Sequence, residues 1–268
     1  MNNPLRILVG CAALAAGLWV VSSPAPAGTP DLPKESYKKA ADADLKFLQT
    51  RLDELAKADE PSLRSAKPAT AATLMLATYA DILGDAAFKA EILKVGEAVY
   101  AKKYKEAAEM AKKLTIKPGT PGKPGGPLAK LAAFEKEKDK DITYLPTTMK
   151  LFSNTQVLKI PAGLNIEKDL KDMIAKTNPP PKLDLTAIEI LAVRSAVINE
   201  YALLHPNEKA RDKDLKTWDK WAKQSIDLSK EIVTEVTKKT PDPKVIRTKL
   251  TLLDAACTEC HGKFRFDD

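Results

Sequence analysis

Residues that can bind a metal or a redox cofactor are scarce in this chain, and most of them lie together near its end. The sequence has 3 Cys and 2 His among 268 residues, and the stretch "CTECH" contains Cys257, Cys260 and His261. Residues three and four positions apart lie on one face of an α-helix. On a helix, these two thiols and one imidazole can therefore all address a single flat ligand.

The spacing Cys-x-x-Cys-His is the attachment sequence of covalently bound c-type haem. In that chemistry the thiols of Cys257 and Cys260 add to the two vinyl groups of haem, and His261 binds the iron as an axial ligand. We therefore expect one covalent haem c as the cofactor. A thioether tether does not dissociate, which suits a protein that is exported from the cytoplasm.

Three other uses of the cysteines are open. A thioredoxin-type dithiol would accompany a strand–helix–strand pattern, which the sequence lacks. A structural zinc site takes four ligands, and His205 is the one remaining histidine that could complete it. A disulfide across two intervening residues closes almost no chain and would stabilise the fold little. Haem attachment is the interpretation that uses all three residues of the motif.

The start of the chain is typical of a secretory signal peptide. Arg6 precedes an apolar run of 15 residues, 7–21, whereas a membrane-spanning helix needs roughly 20 residues. Ala25 and Ala27 then have the spacing of an A-x-A cleavage site. We expect a signal peptide over 1–27, cleavage near Ala27 and an exported, periplasmic or otherwise extracytoplasmic protein. An uncleaved anchor and a lipoprotein box at "LVGC" are the alternatives.

The charge balance favours anionic partners without indicating a specific one. The formal net charge is +7, and removal of residues 1–27 would take away one Arg and no acid, leaving +6. This surplus is spread over lysine-rich stretches and gives no pattern of nucleic-acid recognition. The sequence shows no nucleophile with a base, no Gly-rich phosphate loop and no second metal cluster. We therefore expect an electron carrier rather than a catalyst.

The composition predicts an all-α protein, because Ala, Leu, Lys and Glu are abundant and apolar residues recur at helical spacing. Helices are expected over 36–58, 69–83, 86–114, 166–176, 185–204, 208–238 and 243–264. The last helix is the best specified, since Asp242 can cap its first N–H groups and Pro243 suits its first position. Its apolar stripe includes both cysteines and comprises Ile246, Leu250, Leu253, Cys257, Cys260 and Phe264.

A Pro- and Gly-rich stretch, "KPGTPGKPGGP" at 117–127, predicts a linker. It divides a helical unit without a haem motif, 28–116, from a haem-binding helical unit, 128–268. Segments on the two sides resemble each other, which suggests a duplication of one helical unit. The similar pairs are 51–61 with 169–179, 68–83 with 184–198, and 104–114 with 226–239.

The end of the chain resembles the cytochrome c prime family, the class II c-type cytochromes. In that family the last helix carries Cys-x-x-Cys-His, then two residues, an aromatic residue and Arg or Lys; "CTECHGKFR" matches with Phe264 and Arg265. The resemblance covers 243–266 and extends loosely over 184–266. It implies an antiparallel four-helix bundle with haem near one end. It also implies one-electron transfer or binding of NO or CO, an unidentified redox partner and, by analogy, a homodimer.

The stretch "VRSAVI" resembles the first helix of that family. There an Arg approaches a haem propionate and the residue four positions later covers the distal face, which implies these roles for Arg194 and Ile198. An aliphatic distal residue would leave the iron five-coordinate and open to a gas, whereas Met would make a six-coordinate electron carrier. This chain departs from the family in having one long helix, not two, between Ile198 and Cys257. The sixth ligand therefore stays open, and the possible donors are Met75, Met110, Met149, Met173 and His205.

Overall fold

The computed structural model describes residues 31–59, 61, 63–119, 164, 166–175, 182–204, 206, 210 and 214–264. Within these ranges the chain forms helices and no strand, so the expected all-α class is confirmed. Five of the sequence-based predictions lie wholly or mostly outside the described residues. They are the signal peptide at 1–27, the linker at 117–127 beyond residue 119, the sixth-ligand candidates Met149 and His205, and the pocket residue Arg265.

Eight helices make up the described part of the chain. They are α1 (Lys34–Lys57), α2 (Leu63–Leu83), α3 (Ala86–Tyr100), α4 (Tyr104–Lys112), α5 (Ile166–Ile174), α6 (Leu185–Leu204), α7 (Leu215–Val236) and α8 (Pro243–Phe264). Helices α1 to α4 form a closed ring in which each helix packs against the next and α4 returns to α1. Helices α5 to α8 form a second ring in the same order. The architecture is therefore a pair of four-helix bundles.

Contacts in the second ring set the direction of its helices. Ala202, near the end of α6, accepts a hydrogen bond of 2.9 Å from the indole of Trp218, near the start of α7. The same Trp218 packs against Phe264, the last residue of α8. Helices α6 and α8 therefore run antiparallel to α7. The end of α6, the start of α7 and the end of α8 meet at one end of the bundle.

The two rings agree with two of the three segment pairs noted in the sequence. The first pair of segments, 51–61 and 169–179, begins in α1 and α5. The second pair, 68–83 and 184–198, lies on α2 and α6. These helices hold equivalent places in their rings. The third pair joins α4 (104–114) to α7 (226–239), which hold different places. Shared Lys and Glu content accounts for the third similarity better than descent from one helix.

The expected helix over 86–114 is instead two helices, α3 and α4. The chain reverses at Lys102, which has a φ of 59°, and the N–H of Lys103 donates to the carbonyl of Ala98 at 2.8 Å. No Gly or Pro marks this turn in "YAKKYK". The turn allows α4 to pack against both α1 and α3. Burial of the α4 face thus outweighs the helix propensity of the residues that link the two helices.

Three smaller differences concern helix starts and the linker. Helix α2 begins at Leu63, not 69, and includes Pro68; a side chain of α1 supports its first turn, because the Arg51 guanidinium donates to the carbonyl of Ser65 at 2.9 Å. The helical spacing of Leu215 with Trp218 and Ala222 predicts that Leu215 lies on the inner face of α7, but Leu215 is exposed because it is the first residue of the helix. The start of the predicted linker packs on the turn between α2 and α3, where Gly119 N–H donates to Leu83.

A buried ion pair joins the two bundles. Asp44 of α1 is 0% exposed and accepts a hydrogen bond of 3.0 Å from Nε of Arg194 on α6, together with a second from Nη2. Burial raises the pKa of the Asp44 carboxyl and Arg194 opposes this. Burial acts to lower the pKa of Arg194, but the Asp44 carboxylate raises it above its ordinary value. A second contact joins the same helices, because Glu189 of α6 accepts hydrogen bonds from Ser36 and Lys39.

Replacement of Gly96 tests the close approach of α2 and α3. A Cβ atom at Gly96 would lie 2.8 Å from the Cγ2 methyl of Thr73. Thr73 is buried, and its hydroxyl donates to Ala69, so the methyl has little freedom to move. We expect Gly96→Ala to lower the free energy of unfolding by about 1–3 kcal/mol in urea titrations. Thr73→Ser removes only the methyl and should restore the loss; if it does not, the two helices are not in this contact.

The ion pair between the bundles predicts that a single substitution destabilises the fold more than a double substitution that removes both charges. Asp44→Ala leaves Arg194, whose side chain is only 13% exposed, without its partner and should lower the free energy of unfolding by about 3–5 kcal/mol. Asp44→Leu combined with Arg194→Met should cost less than either change alone. Asp42→Ala removes an exposed pair with Lys38 on the same helix and serves as the control, with an expected change within about 0.5 kcal/mol. Equal effects of Asp44→Ala and Asp42→Ala in urea titrations would contradict the buried pair.

Candidate haem site

The helix that carries the motif begins as the sequence predicts. Asp242 Oδ1 accepts hydrogen bonds from the N–H groups of Lys244 and Val245 at 2.8 and 3.4 Å. The N–H of Asp242 in turn donates to Glu235 at the end of α7, at 3.0 Å. The start of α8 is therefore tied to the end of α7. The expected stripe is also confirmed: Ile246, Leu250, Leu253 and Phe264 are buried, and both cysteines pack partly buried against the same core.

The two cysteines are free thiols on the inner side of α8. Burial raises the pKa of the Cys257 thiol to about 12 and that of Cys260 to about 11. Contact with the Ser225 hydroxyl of α7 partly opposes the shift at Cys257. A redox-active dithiol needs a lowered thiol pKa. These surroundings therefore do not favour the thioredoxin-type use of the pair.

An aromatic cluster covers the end of α8. Trp218 and Trp221 of α7 both meet the ring of Phe264 edge-on, with centroid distances of 5.2 and 5.8 Å. The indole N–H of Trp221 donates to Glu259 at 2.8 Å. Glu259 is one of the two residues between the cysteines, so α7 holds the motif itself. Lys263 adds an exposed ion pair with Asp214 at 3.0 Å.

The residues present fit a covalent haem. Cys257, Cys260 and His261 follow one another on the last two turns of α8 at one end of the bundle, and both thiols are free to form thioethers. A Cβ atom at the neighbouring Gly262 would meet nothing within 4 Å, so the helix end is not crowded on that side. In the described part of the chain, no three His, Cys, Asp or Glu side chains converge as metal ligands. The zinc alternative gains no support there.

The structure places the two remaining pocket candidates on α6. Ile198 is buried and lies four residues before Ala202, which contacts Trp218 at the motif's end of the bundle. Arg194 lies one turn further from that end and pairs with Asp44. Its guanidinium is therefore already bound to a carboxylate, and a haem propionate would have to share or displace that partner.

The described sulfur candidates for a sixth ligand differ in position. Met75 and Met110 belong to α2 and α4 of the first bundle, and Met75 is buried in its core. Met173 lies on α5, which packs directly against α8. Among the described methionines, Met173 is thus the one in the bundle that carries the motif.

Ser225 has the helical spacing of an inner-face residue of α7 with Trp218 and Ala222, and it is buried as that spacing predicts. Two residues of the second bundle were missed by sequence reasoning: Glu259 and Glu200 are common residue types on helices, and no local pattern distinguishes them. Glu259 could have been noticed because it stands between the cysteines. Glu200 is 7% exposed on α6, and its Oε2 has no hydrogen-bond partner in the part of the chain that the structure describes.

A surface depression of about 500 Å³ does not belong to this site. It is lined by residues in the first half of α8: Pro243, Lys244, Arg247, Thr248, Thr251 and Leu252. The motif occupies the other half of the same helix, on its inner side.

Comparison with protein-family models, with curated proteins and with solved structures gave no match. Among the described helices, none combines the length and the hydropathy needed to cross a membrane.

The raised pKa of Glu200 predicts that the free energy of unfolding depends on pH. Burial raises its pKa from 4.5 to about 7; Lys230 and Lys223 of α7 oppose the shift, whereas Asp227 adds to it. The folded state then keeps a proton that the unfolded chain releases, so the free energy of unfolding should fall as pH rises from about 4.5 to 7 and level off above. The loss is at most roughly 3 kcal/mol.

The measurement is urea unfolding of the wild type and of Glu200→Gln at pH 5, 6, 7 and 8. The Gln side chain cannot titrate, so the stability of the wild type relative to the variant should decline up to pH 7. Parallel pH profiles for the two proteins would show that Glu200 is not protonated in the fold.

Proposed function

We propose that this protein is an exported mono-haem c-type cytochrome that transfers one electron through covalently bound haem. The observation that carries the proposal is the placement of two free thiols and His261 on the last two turns of one helix, at one end of a four-helix bundle. The ring formed by α5 to α8 supports a relationship to the cytochrome c prime family. The proposed export rests on the sequence at 1–27.

Haem, when bound, supplies the Fe(III)/Fe(II) couple. The chain's own residues would bind the haem and stabilise the helix that carries it. The thiols of Cys257 and Cys260 would form the tether, and His261 would supply a nitrogen ligand to the iron. The cluster of Trp218, Trp221 and Phe264 holds the helix end and keeps water from that side of the core. Once the thioethers have formed, electron transfer needs no further reaction of a protein group.

A five-coordinate haem protein that binds or senses NO or CO is the second candidate. It is favoured by Ile198, which is buried and lies toward the motif's end of the bundle. An aliphatic side chain cannot bind iron, so an iron beside Ile198 would keep an open position. Met173 on α5 is the opposing candidate, since its sulfur would close that position and leave an electron carrier.

The test is expression of the full chain together with haem-attachment machinery. We expect one haem per chain that remains attached after denaturation, with a reversible one-electron couple. Cys257→Ala and Cys260→Ala should each weaken the attachment, and the double variant should abolish it. His261→Ala should keep the thioethers but lose the axial nitrogen and change the absorption spectrum. Wild-type protein without covalent haem would end the proposal.

Carbon monoxide separates the two candidates. A high-spin reduced spectrum that shifts under CO would favour the gas-binding protein, and Ile198→Met should then give a low-spin form. A low-spin reduced spectrum that CO does not change would favour the electron carrier. In that case Met173→Leu tests the ligand on α5.

A further inference from the structure

The two residues between the cysteines have different surroundings. Thr258 and Glu259 are both exposed, but in the described part of the chain only Glu259 has a hydrogen bond to α7: it accepts one of 2.8 Å from the indole N–H of Trp221 at the protein surface. This bond runs from α7 directly into the Cys-x-x-Cys-His motif. Trp221 and Glu259 are 38 positions apart in the sequence. The bond is therefore a tertiary contact between two helices and not part of α8 itself.

The Trp221 side chain also contacts the end of the last turn of α8. Trp221 meets Phe264 edge-on at 5.8 Å, three residues after His261. Trp221 therefore contacts α8 on both sides of the proposed iron ligand, two residues before it and three residues after it. Trp218 reinforces this arrangement, because it also meets Phe264 edge-on, at 5.2 Å, and its indole N–H donates to the carbonyl of Ala202 on α6.

His261 needs such support because of its place in the helix. Phe264 is the last helical residue of α8, and the last turn of a helix lacks intrahelical partners for its carbonyl groups and tends to fray. An axial ligand in a fraying turn would not hold one orientation. Contacts from a neighbouring helix are therefore required to keep the imidazole in place.

We propose that Trp221 is a positioning residue for His261: its indole N–H fixes Glu259 and its ring fixes Phe264, so the turn between them holds the axial imidazole in one orientation. This inference rests on the proposed function, since it assigns a role toward the haem. Trp221 acts through Glu259 and Phe264 and does not itself bind the iron.

Three variants separate the parts of this contact. Trp221→Phe removes the N–H donor and keeps an aromatic ring against Phe264. Glu259→Ala removes the acceptor, and Glu259→Gln keeps an acceptor while removing the charge. Tyr100→Phe changes an exposed aromatic residue of the first bundle and is the control.

The first measurement is amide hydrogen exchange across 257–264 in the chain without haem. Trp221→Phe and Glu259→Ala should each increase exchange there about threefold, the effect of one solvent-exposed hydrogen bond. The double variant should show no more than either single variant, because both remove the same bond. Glu259→Gln and Tyr100→Phe should resemble the wild type. Independent, additive effects would overturn the proposed contact.

The second measurement is the ferric electron paramagnetic resonance spectrum of the haem-loaded protein, which reports the orientation of the axial imidazole. The wild type, Glu259→Gln and Tyr100→Phe should each give a single narrow species. Trp221→Phe and Glu259→Ala should give broadened or multiple species. Haem-loaded Trp221→Phe with an unchanged spectrum would overturn the positioning role and leave the proposed function intact. A wild-type chain that takes up no haem would overturn both.

Discussion

One face of α8 serves the fold and the site at the same time. Its buried stripe fills the core between α5 and α7, and the cysteines continue that stripe. The proposed haem site therefore cannot form unless α8 packs, and α8 can pack only with the stripe turned inward. Every contact that orients the helix, from the cap at Asp242 to the ring of Phe264, consequently bears on the site.

The first bundle also helps to hold the second bundle in place. Asp44 and Arg194 form a buried pair across the interface, and Arg194 lies on the helix that also carries Ile198. A buried charge without its partner is costly, so the pair favours the one arrangement of α1 and α6 in which Asp44 and Arg194 meet. This gives the N-terminal bundle a physical role although it lacks a haem motif: it supplies the counter-charge for a helix of the proposed haem-binding bundle.

Local patterns predicted most of the helices, because their signals act over one or two turns. The bounds of α6 and α8 agree with the sequence. The leucines that recur at helical spacing in α1 are buried, as that spacing predicts: Leu45, Leu48, Leu52 and Leu55. The break between α3 and α4 was not predicted, since nothing in "YAKKYK" disfavours a helix. A left-handed Lys102 is acceptable there only because the packing of α4 on α1 compensates for it.

The residues of the candidate site follow the same division. The sequence by itself determined the motif, because the chemistry of Cys257, Cys260 and His261 depends on residue type and helical spacing alone. Only the tertiary structure decided the long-range contacts of the second bundle: the pairing of Arg194 with Asp44, the contact of Trp221 with Glu259 and the burial of Glu200. These contacts join residues far apart in the chain, and their energies depend on distance and burial, which no local pattern encodes.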